Sequence, residues 1–200
     1  MNTSIKTSKL YLFKLSIPIF FSNIAIPFVG LVDTGLMGHL SDEKFLAAIS
    51  IAASVITMIF WSFGFLRMGT VGLIAQAFGR KDYNEIVLVF VRSLFLAVSI
   101  GFVIIFFKEP ILFLVEHFFK TSEETQNLIG KYISIRILSA PAELLIYVLA
   151  GLFLGLQKTF VSSTMISLFC FGNAILSAVF VIHFNLEIFG VALGTTIAAY

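Results

Sequence analysis

The stretch IPIFFSNIAIPFVGLVDTGLMGH, residues Ile17–His39, is apolar over a membrane-spanning length and contains a single carboxylate, Asp33. A spanning helix needs about 20 predominantly apolar residues. Pro18 and Pro27 lie within this run and predict points at which the helix can bend. An ionisable group so deep in a bilayer is costly, so we interpret Asp33 as a functional residue, with a structural hydrogen-bonding role as the alternative.

The composition of the whole chain is that of an integral membrane protein. Of the 200 residues, 59% are hydrophobic and 12% are charged, and the mean hydropathy is +1.04. The 13 lysines and arginines against 11 acidic residues give no basic excess that would indicate a nucleic-acid partner. Cys170 is the one cysteine, which excludes a disulfide within these residues and argues against a thiolate metal site.

Hydropathy divides the chain into five complete spans and a shorter sixth. The predicted spans are residues 11–38, 46–78, 86–107, 128–156, 160–183 and 188–200. Short connections between long helices predict an antiparallel bundle, so the predicted fold class is an all-α integral membrane protein. The sixth run falls short of the bilayer thickness at about 1.5 Å of rise per residue, and we therefore expect the chain to be the N-terminal part of a longer protein.

The cations beside the predicted spans are distributed unevenly between the two ends of the bundle. Those on the side of the N-terminus are Lys6, Lys9, Lys14, Arg80, Lys81 and Lys158. The opposite side carries Lys44, Lys108 and Lys120 among most of the acidic residues. The positive-inside rule therefore predicts that the N-terminus is cytoplasmic.

Other polar residues inside the predicted spans allow more than one interpretation. Arg136 falls nearer the end of its span, which favours an anchoring or packing role. Glu143 is deeper, and its pairing and role stay open. Asn173 and Ser177 are one helical turn apart and share a face, where they can bond to neighbouring helices.

Glycines spaced four residues apart predict sites where helices pack closely. Two such patterns are Gly151-x-x-x-Gly155 and Gly190-x-x-x-Gly194. We also expect neighbouring helices to approach the first span closely at the glycines around Asp33, which are Gly30, Gly35 and Gly38.

The sequence contains no motif of a known enzyme centre. The three histidines, His39, His117 and His183, are far apart and lack an HExxH pairing or a nearby cysteine. Neither a GxSxG elbow nor a GxxxxGK[ST] phosphate loop is present. We therefore predict neither a hydrolase nor a nucleotide-driven pump, and we predict no cofactor or metal.

Three longer motifs occur in order along the chain. They are GLVDTGLMGHL (Gly30–Leu40), FLRMGTVGLIAQAFGRKD (Phe65–Asp82) and IRILSAPAELLIYVLAGLFLGLQ (Ile135–Gln157). With them the chain resembles the multidrug and toxic compound extrusion (MATE) family, in its DNA-damage-inducible protein F branch. The resemblance implies a twelve-helix secondary antiporter of the inner membrane, built from two six-helix lobes, of which this chain is the N-terminal lobe and the C-terminal lobe is absent.

The resemblance also implies an activity and a coupling site. The activity is export of small drugs or toxic metabolites, often cationic or amphipathic, in exchange for protons, with sodium as the alternative coupling ion. The implied coupling network consists of Asp33, Tyr132, Asn173 and Thr195. The implied bend of the first helix centres on Pro18, and Pro27 is the second bending point that the residues themselves predict.

The sequence departs from the family pattern at two positions. Ser177 stands one turn after Asn173, where some members carry a second acid, and Ala199 precedes the final tyrosine where an acid is expected. We therefore expect Asp33 to be the sole carboxylate of its pocket, with Ser177 as its neutral neighbour.

Two other functions stay open. A lipid-intermediate flippase of the same superfamily should show a more cationic central cavity than Asp33 and its neutral partners offer. A truncated, non-transporting membrane half-protein would depend on a second lobe or chain. The partners predicted for the leading function are the small-molecule substrate, the proton and membrane lipid, without nucleic acid.

Overall fold

The computed structural model describes residues 9–38 and 43–200, which are helical over most of their length and hold no strand. In the first helix, side chains are described at residues 16–20, 24 and 28–38. His39 therefore lies outside the described residues. The helices in chain order are α1 (Lys9–Gly38), α2 (Glu43–Ser62), α3 (Phe65–Gly79), α4 (Tyr83–Phe106), α5 (Lys108–Phe118), α6 (Glu123–Arg136), α7 (Ala140–Gly155), α8 (Thr159–Ala178) and α9 (Glu187–Ala199).

Two of the predicted spans are each built from a pair of helices. A turn at Phe63 and Gly64 separates α2 from α3, and one turn of 3₁₀ helix, Ile137–Ser139, separates α6 from α7. Pro141 accounts for the second break, because it has no N–H to donate to the carbonyl group of Ile137. The fourth span is thus continuous but irregular at its middle.

Several helical segments of the described part are long and apolar enough to cross a membrane. They are Glu43–Gly79, Tyr83–Phe106, Glu123–Gly155 and Thr159–His183. Together with α1 and α9, these segments lie at the positions of the six predicted spans. That each of the six crosses a bilayer stays a prediction.

The acidic connection after the third span contains a helix, α5, which the sequence patterning missed. Pro110 lies in its first turn, where a missing N–H removes no hydrogen bond. The Gln126 side-chain amide donates to the carbonyl oxygens of Glu116 and Phe119 at 3.3 and 3.2 Å, which closes the C-terminal end of α5 onto α6. The apolar run of this helix, Ile111–Val115, is short and has charged residues on both sides, so hydropathy assigns the segment to the connection.

Close helix packing at both four-residue glycine patterns is confirmed. A Cβ atom on Gly155 would lie 2.7 Å from the side chain of Ile74 in α3. A Cβ atom on Gly194 of α9 would lie 2.6 Å from the backbone nitrogen of Ser177 in α8. Glycine is therefore required where α7 meets α3 and where α9 meets α8.

The expectation of close approach around Asp33 is wrong. A Cβ atom on Gly30, Gly35 or Gly38 would meet no described atom within 4 Å. Gly30 instead lines an open cavity between α1 and α2.

The main core lies between α2, α6 and α7, where Ile56, Ile133 and Leu144 are buried. α3 and α7 run parallel, so the cationic turns that follow them lie at the same end of the bundle. These turns hold Arg80, Lys81 and Lys158. At the opposite end, Lys44 Nζ lies 3.3 Å from Glu124 Oε2.

Asp82 is the N-cap of α4, and its side chain accepts a hydrogen bond of 3.0 Å from the backbone nitrogen of Glu85. We expect Asp82→Ala to lower the free energy of unfolding by about 1 kcal/mol, because a helix-end N–H group loses its partner. Thermal unfolding of the purified protein measures the change. Asp82→Asn keeps a capping oxygen, so equal losses in the two variants would contradict the capping role.

Candidate functional site

Asp33 lies between two adjoining cavities near the middle of the bundle. The outer cavity has a volume of about 620 Å³ and is open between α1 and α2, with Tyr132 at its inner wall. The inner cavity measures about 230 Å³ and is enclosed by residues of α1, α2, α6, α7, α8 and α9. Asp33 and Tyr132 line both cavities and so form the boundary between them.

The Asp33 carboxylate is only 9% exposed and lacks a full set of hydrogen bonds. Its Oδ1 atom has no hydrogen-bond partner among the described residues. The hydroxyl group of Ser177 lies close enough to the Asp33 carboxylate to interact with it. The Ser177 hydroxyl oxygen nevertheless makes no hydrogen bond to any described residue. The positive charge of Arg136 also acts on Asp33. An under-bonded buried carboxylate of this kind can hold a proton or attract a cation.

Tyr132 and Thr195, two of the other implied network residues, share the inner cavity with Asp33. The Thr195 hydroxyl donates to the carbonyl oxygen of Val191 at 2.9 Å. Asn173 and Ser177 are completely buried on α8. Neither the Asn173 amide nor the Ser177 hydroxyl has a hydrogen-bond partner in the described part of the chain. The Asn173 amide and the Ser177 hydroxyl can therefore form new hydrogen bonds when the charge of Asp33 changes.

Of the anchoring and packing roles expected for Arg136, the structure shows packing. Arg136 is buried at the break in the fourth span, and its Nη1 atom lies 2.7 Å from Oε1 of Glu143. The hydroxyl group of Ser139, also fully buried, accepts a hydrogen bond from Arg136 Nη1 at 2.6 Å and lies 2.9 Å from Glu143 Oε1. Phe60 of α2 covers the guanidinium group, with 5.7 Å from Cζ to the ring centroid.

The expectation of a single carboxylate in the pocket is wrong. Glu143 lines the inner cavity together with Asp33, so the second acid comes from α7 instead of the Ser177 position on α8. Arg136 and Glu143 are seven residues apart, which is close to two helical turns and places both on one face of the span. That spacing of opposite charges inside an apolar segment was the signal from which the pair could have been found.

Hydroxyl groups and one aromatic ring form the wall of the outer cavity on α2. Ser50 and Ser54 each donate to the carbonyl oxygen four residues earlier, at 2.7 Å. Their remaining lone pairs are thus acceptors in a cavity that Thr57 and Trp61 also line. Trp61 is 82% exposed. Acceptors, an aromatic face and a carboxylate make this cavity suited to cations.

The remaining sequence expectations concern the proline and histidine residues. α1 continues through Pro18 and Pro27 as one helix, and bending at these positions stays a prediction. His117 stacks on Phe113, and His183 contacts Phe184 edge-on. Among the described residues, no group of three His, Cys, Asp or Glu side chains is placed to hold a metal ion.

Comparison with known proteins identifies relatives over nearly the whole chain. The chain is 35% identical over 189 residues to DNA damage-inducible protein F of Escherichia coli (strain K12), which covers 94% of this chain and 41% of the relative. It is 24% identical over 183 residues to the multidrug export protein MepA of Staphylococcus aureus (strain NCTC 8325 / PS 47), covering 92% of this chain and 41% of that protein. The chain thus spans less than half the length of these relatives.

The fold is that of half a solved transporter. A structure described as an outward-facing conformation of a multidrug resistance MATE family transporter of the MOP superfamily matches with a TM-score of 0.86 and 23% identity. The match covers 94% of this chain and 41% of that one. The model of the MatE family matches residues 18–196. The chain therefore belongs to the MatE family of membrane transporters.

Proposed function

We propose that this chain is the N-terminal six-helix lobe of a secondary antiporter that exports drugs or toxic metabolites in exchange for protons. The observation that carries the proposal is the buried Asp33 carboxylate, which has an oxygen without a hydrogen-bond partner among the described residues and lies between cavities of about 620 and 230 Å³. A lone structural acid would be expected to have both oxygens bonded. The relatives described as multidrug proteins support the same transport class.

Asp33 is the proton-binding group in this proposal. Protonation removes a buried negative charge and changes the hydrogen bonds that the carboxyl group can make to Tyr132 and Ser177. Hydrogen bonds of this kind would join α1 to α6 and α8, so their formation or loss shifts α1 relative to its neighbours. Bending of α1 at Pro18 or Pro27 then alters the outer cavity, and exchange follows if proton and substrate favour different cavity shapes.

The outer cavity is the substrate surface of this lobe. An amphipathic cation would place its charge near Asp33 and its apolar part against Met58 and Trp61, which line the same cavity. The hydroxyl oxygens of α2 offer acceptors without a fixed geometry, which favours a range of substrates over one. In the complete antiporter the open side of the cavity faces the second lobe.

A transport experiment separates protons from sodium as the coupling ion. Protein expressed from the complete gene is reconstituted in liposomes loaded with tetraphenylphosphonium, and efflux is started by a pH gradient or by a sodium gradient at constant pH. We expect the pH gradient to drive efflux and the sodium gradient to have no effect. Efflux driven by sodium alone, or by neither gradient, contradicts the proposal.

Trp61 contributes to substrate affinity in this proposal. We expect Trp61→Ala to raise KM for tetraphenylphosphonium about fivefold, with kcat little changed, because a cation–π contact is worth about 1 kcal/mol. The concentration dependence of efflux measures both constants. Trp61→Phe retains a ring and should lie between the alanine variant and the wild type; an unchanged KM in the alanine variant would place the substrate elsewhere.

The flippase alternative is less well supported by the charges in the site. Arg136 is the one cation that lines either cavity in the described part of the chain, and it is paired with Glu143. With Asp33 ionised, these three groups carry a net negative charge. A pyrophosphate-linked lipid would meet repulsion there.

We infer the orientation of the lobe in the membrane from the charged residues at the two ends of the bundle. The turns that hold Arg80, Lys81 and Lys158 would face the cytoplasm. Lys44, Glu124 and Glu187 line one shallow cavity at the other end, which would face outward. We therefore place the N-terminus in the cytoplasm and the lobe in the cell inner membrane.

A further inference from the structure

The ion pair between Arg136 and Glu143 lies within Glu123–Gly155, a helical segment long and apolar enough to cross a membrane. The pair is nearly closed to solvent, with side-chain exposures of 7% and 13%. Replacing a buried ion pair by apolar side chains of similar size is often neutral or stabilising. Stability alone therefore does not account for this pair, and its surroundings suggest another role.

The pair opens onto the same cavity as Asp33. Arg136, Glu143 and Asp33 all line the inner cavity of about 230 Å³, and the charge of Arg136 acts on the Asp33 carboxylate. Two atoms of this cluster are left without hydrogen-bond partners among the described residues, namely Nε of Arg136 and Oδ1 of Asp33. One is a donor and the other an acceptor.

The other titratable groups around the cluster can be named helix by helix. α6 contributes Tyr132 and α8 contributes Cys170, both of which line the inner cavity. α7 contributes Tyr147, which lies within electrostatic range of Glu143 and of Arg67 from α3. The residues of α2 and α9 that line the cavity carry no charge. Arg136 is therefore the cation available to both carboxylates inside the cavity.

We propose that Arg136 is a counter-ion shared by Asp33 and Glu143, which makes Glu143 the second carboxylate of the coupling site. The inference rests on the proposed role of Asp33 in proton binding. In the structure the guanidinium group pairs with Glu143 and Ser139, and we assign this arrangement to the state in which Asp33 is protonated. When Asp33 releases its proton, the free Nε–H donates to Asp33, and the bond to Glu143 weakens. Arg136 acts as a positioning residue, since it binds no substrate.

The arrangement links proton release to a displacement of the fourth span. A guanidinium group has five N–H donors in a fixed fork, so it can contact two carboxylates at once but cannot align with both equally. Its shift toward α1 changes the hydrogen bonds of Ser139 in the 3₁₀ turn between α6 and α7. The irregular middle of the fourth span is therefore the element that responds to Asp33.

The test uses proton release on binding of tetraphenylphosphonium by the complete detergent-solubilised protein, recorded with a pH-sensitive dye across a pH series. In Glu143→Gln, Arg136 is left free for Asp33, so ionised Asp33 is favoured and the pH midpoint of release should fall by about one unit. In Arg136→Met, the cation is lost while Glu143 stays negative, so the midpoint should rise by a similar amount. The double variant should return close to the wild-type midpoint.

Control variants separate this inference from the proposed function. Arg92 is exposed on α4 and does not line the inner cavity, so Arg92→Met should leave the midpoint unchanged. Midpoints that stay fixed, or that move in the same direction in both single variants, overturn the shared counter-ion. Release that persists in Asp33→Asn overturns the proposed function as well. If Arg136→Met fails to fold, the fall in Glu143→Gln and its return in the double variant decide the result.

Discussion

Asp33→Asn is expected to reduce proton-driven efflux of tetraphenylphosphonium to the background of protein-free liposomes. The amide has nearly the size and shape of the carboxyl group but stays neutral at every pH. Residue 33 is then always uncharged, as protonated Asp33 is. No proton can bind to it or leave it, so a pH gradient cannot drive efflux. Efflux from reconstituted liposomes, measured from acidic to alkaline pH, should be low and independent of pH.

The chain offers a matched control for this loss. Asp82→Asn makes the same chemical change at an exposed helix cap, where asparagine caps nearly as well as aspartate. It should retain wild-type efflux and the wild-type pH profile. If Asp33→Asn instead keeps efflux that responds to the pH gradient, Asp33 is not the coupling group, and the buried carboxylate has a structural role.

The second large effect is expected from Gly194→Ala. The added Cβ atom would lie 2.6 Å from the backbone nitrogen and 2.8 Å from the Cα atom of Ser177. These are backbone atoms, so no side-chain rotation relieves the overlap, and α9 must move away from α8. Overpacking of this kind costs about 1–3 kcal/mol and occasionally more. The melting temperature and the monodisperse fraction after size-exclusion chromatography report the loss.

The same substitution should also impair transport, because Ser177 adjoins Asp33. Gly72→Ala is the matched control, since a Cβ atom there would meet no described atom within 4 Å. In a helix interior this control should be neutral or stabilising by up to about 1 kcal/mol. Equal melting temperatures for Gly194→Ala and the wild type would show that α8 and α9 can separate freely.

Most of the features that position the helices could be predicted from the sequence, but only some of the residues that lie around Asp33 could be. Apolar runs and four-residue glycine patterns are local signals, and they predicted the long apolar helical segments and the close packing at Gly194. That Asp33 lies deep within its span could also be predicted from the first apolar run. The open space beside Gly30, where a Cβ atom would meet no described atom within 4 Å, could not be predicted. The distance from Gly30 to another helix depends on side chains that are far away in the chain.

The role of Arg136 was missed for a physical reason. Its distance from the end of the hydrophobic run, which begins at about Leu128, predicts a position close to the membrane surface. In the structure the helical segment extends from Glu123 to Gly155, and Arg136 is buried near the middle of that segment. The polar residues at the start of α6 belong to this helix and not to the connection that hydropathy predicts there. A small error at a helix boundary thus reversed the interpretation of a charge.

The position of both partners of the ion pair on one span has a consequence for biogenesis. On translocon insertion scales, an isolated arginine or acid at the centre of a helix costs about 2.5–3.5 kcal/mol. Arg136 and Glu143 enter the bilayer on the same segment and can pair there before any other span arrives. The centre of the nascent segment is then neutral. Asp33 belongs to the first span, where the sequence places no lysine or arginine within two helical turns of it. We therefore expect Asp33 to stay protonated or hydrated until the fourth span is in place.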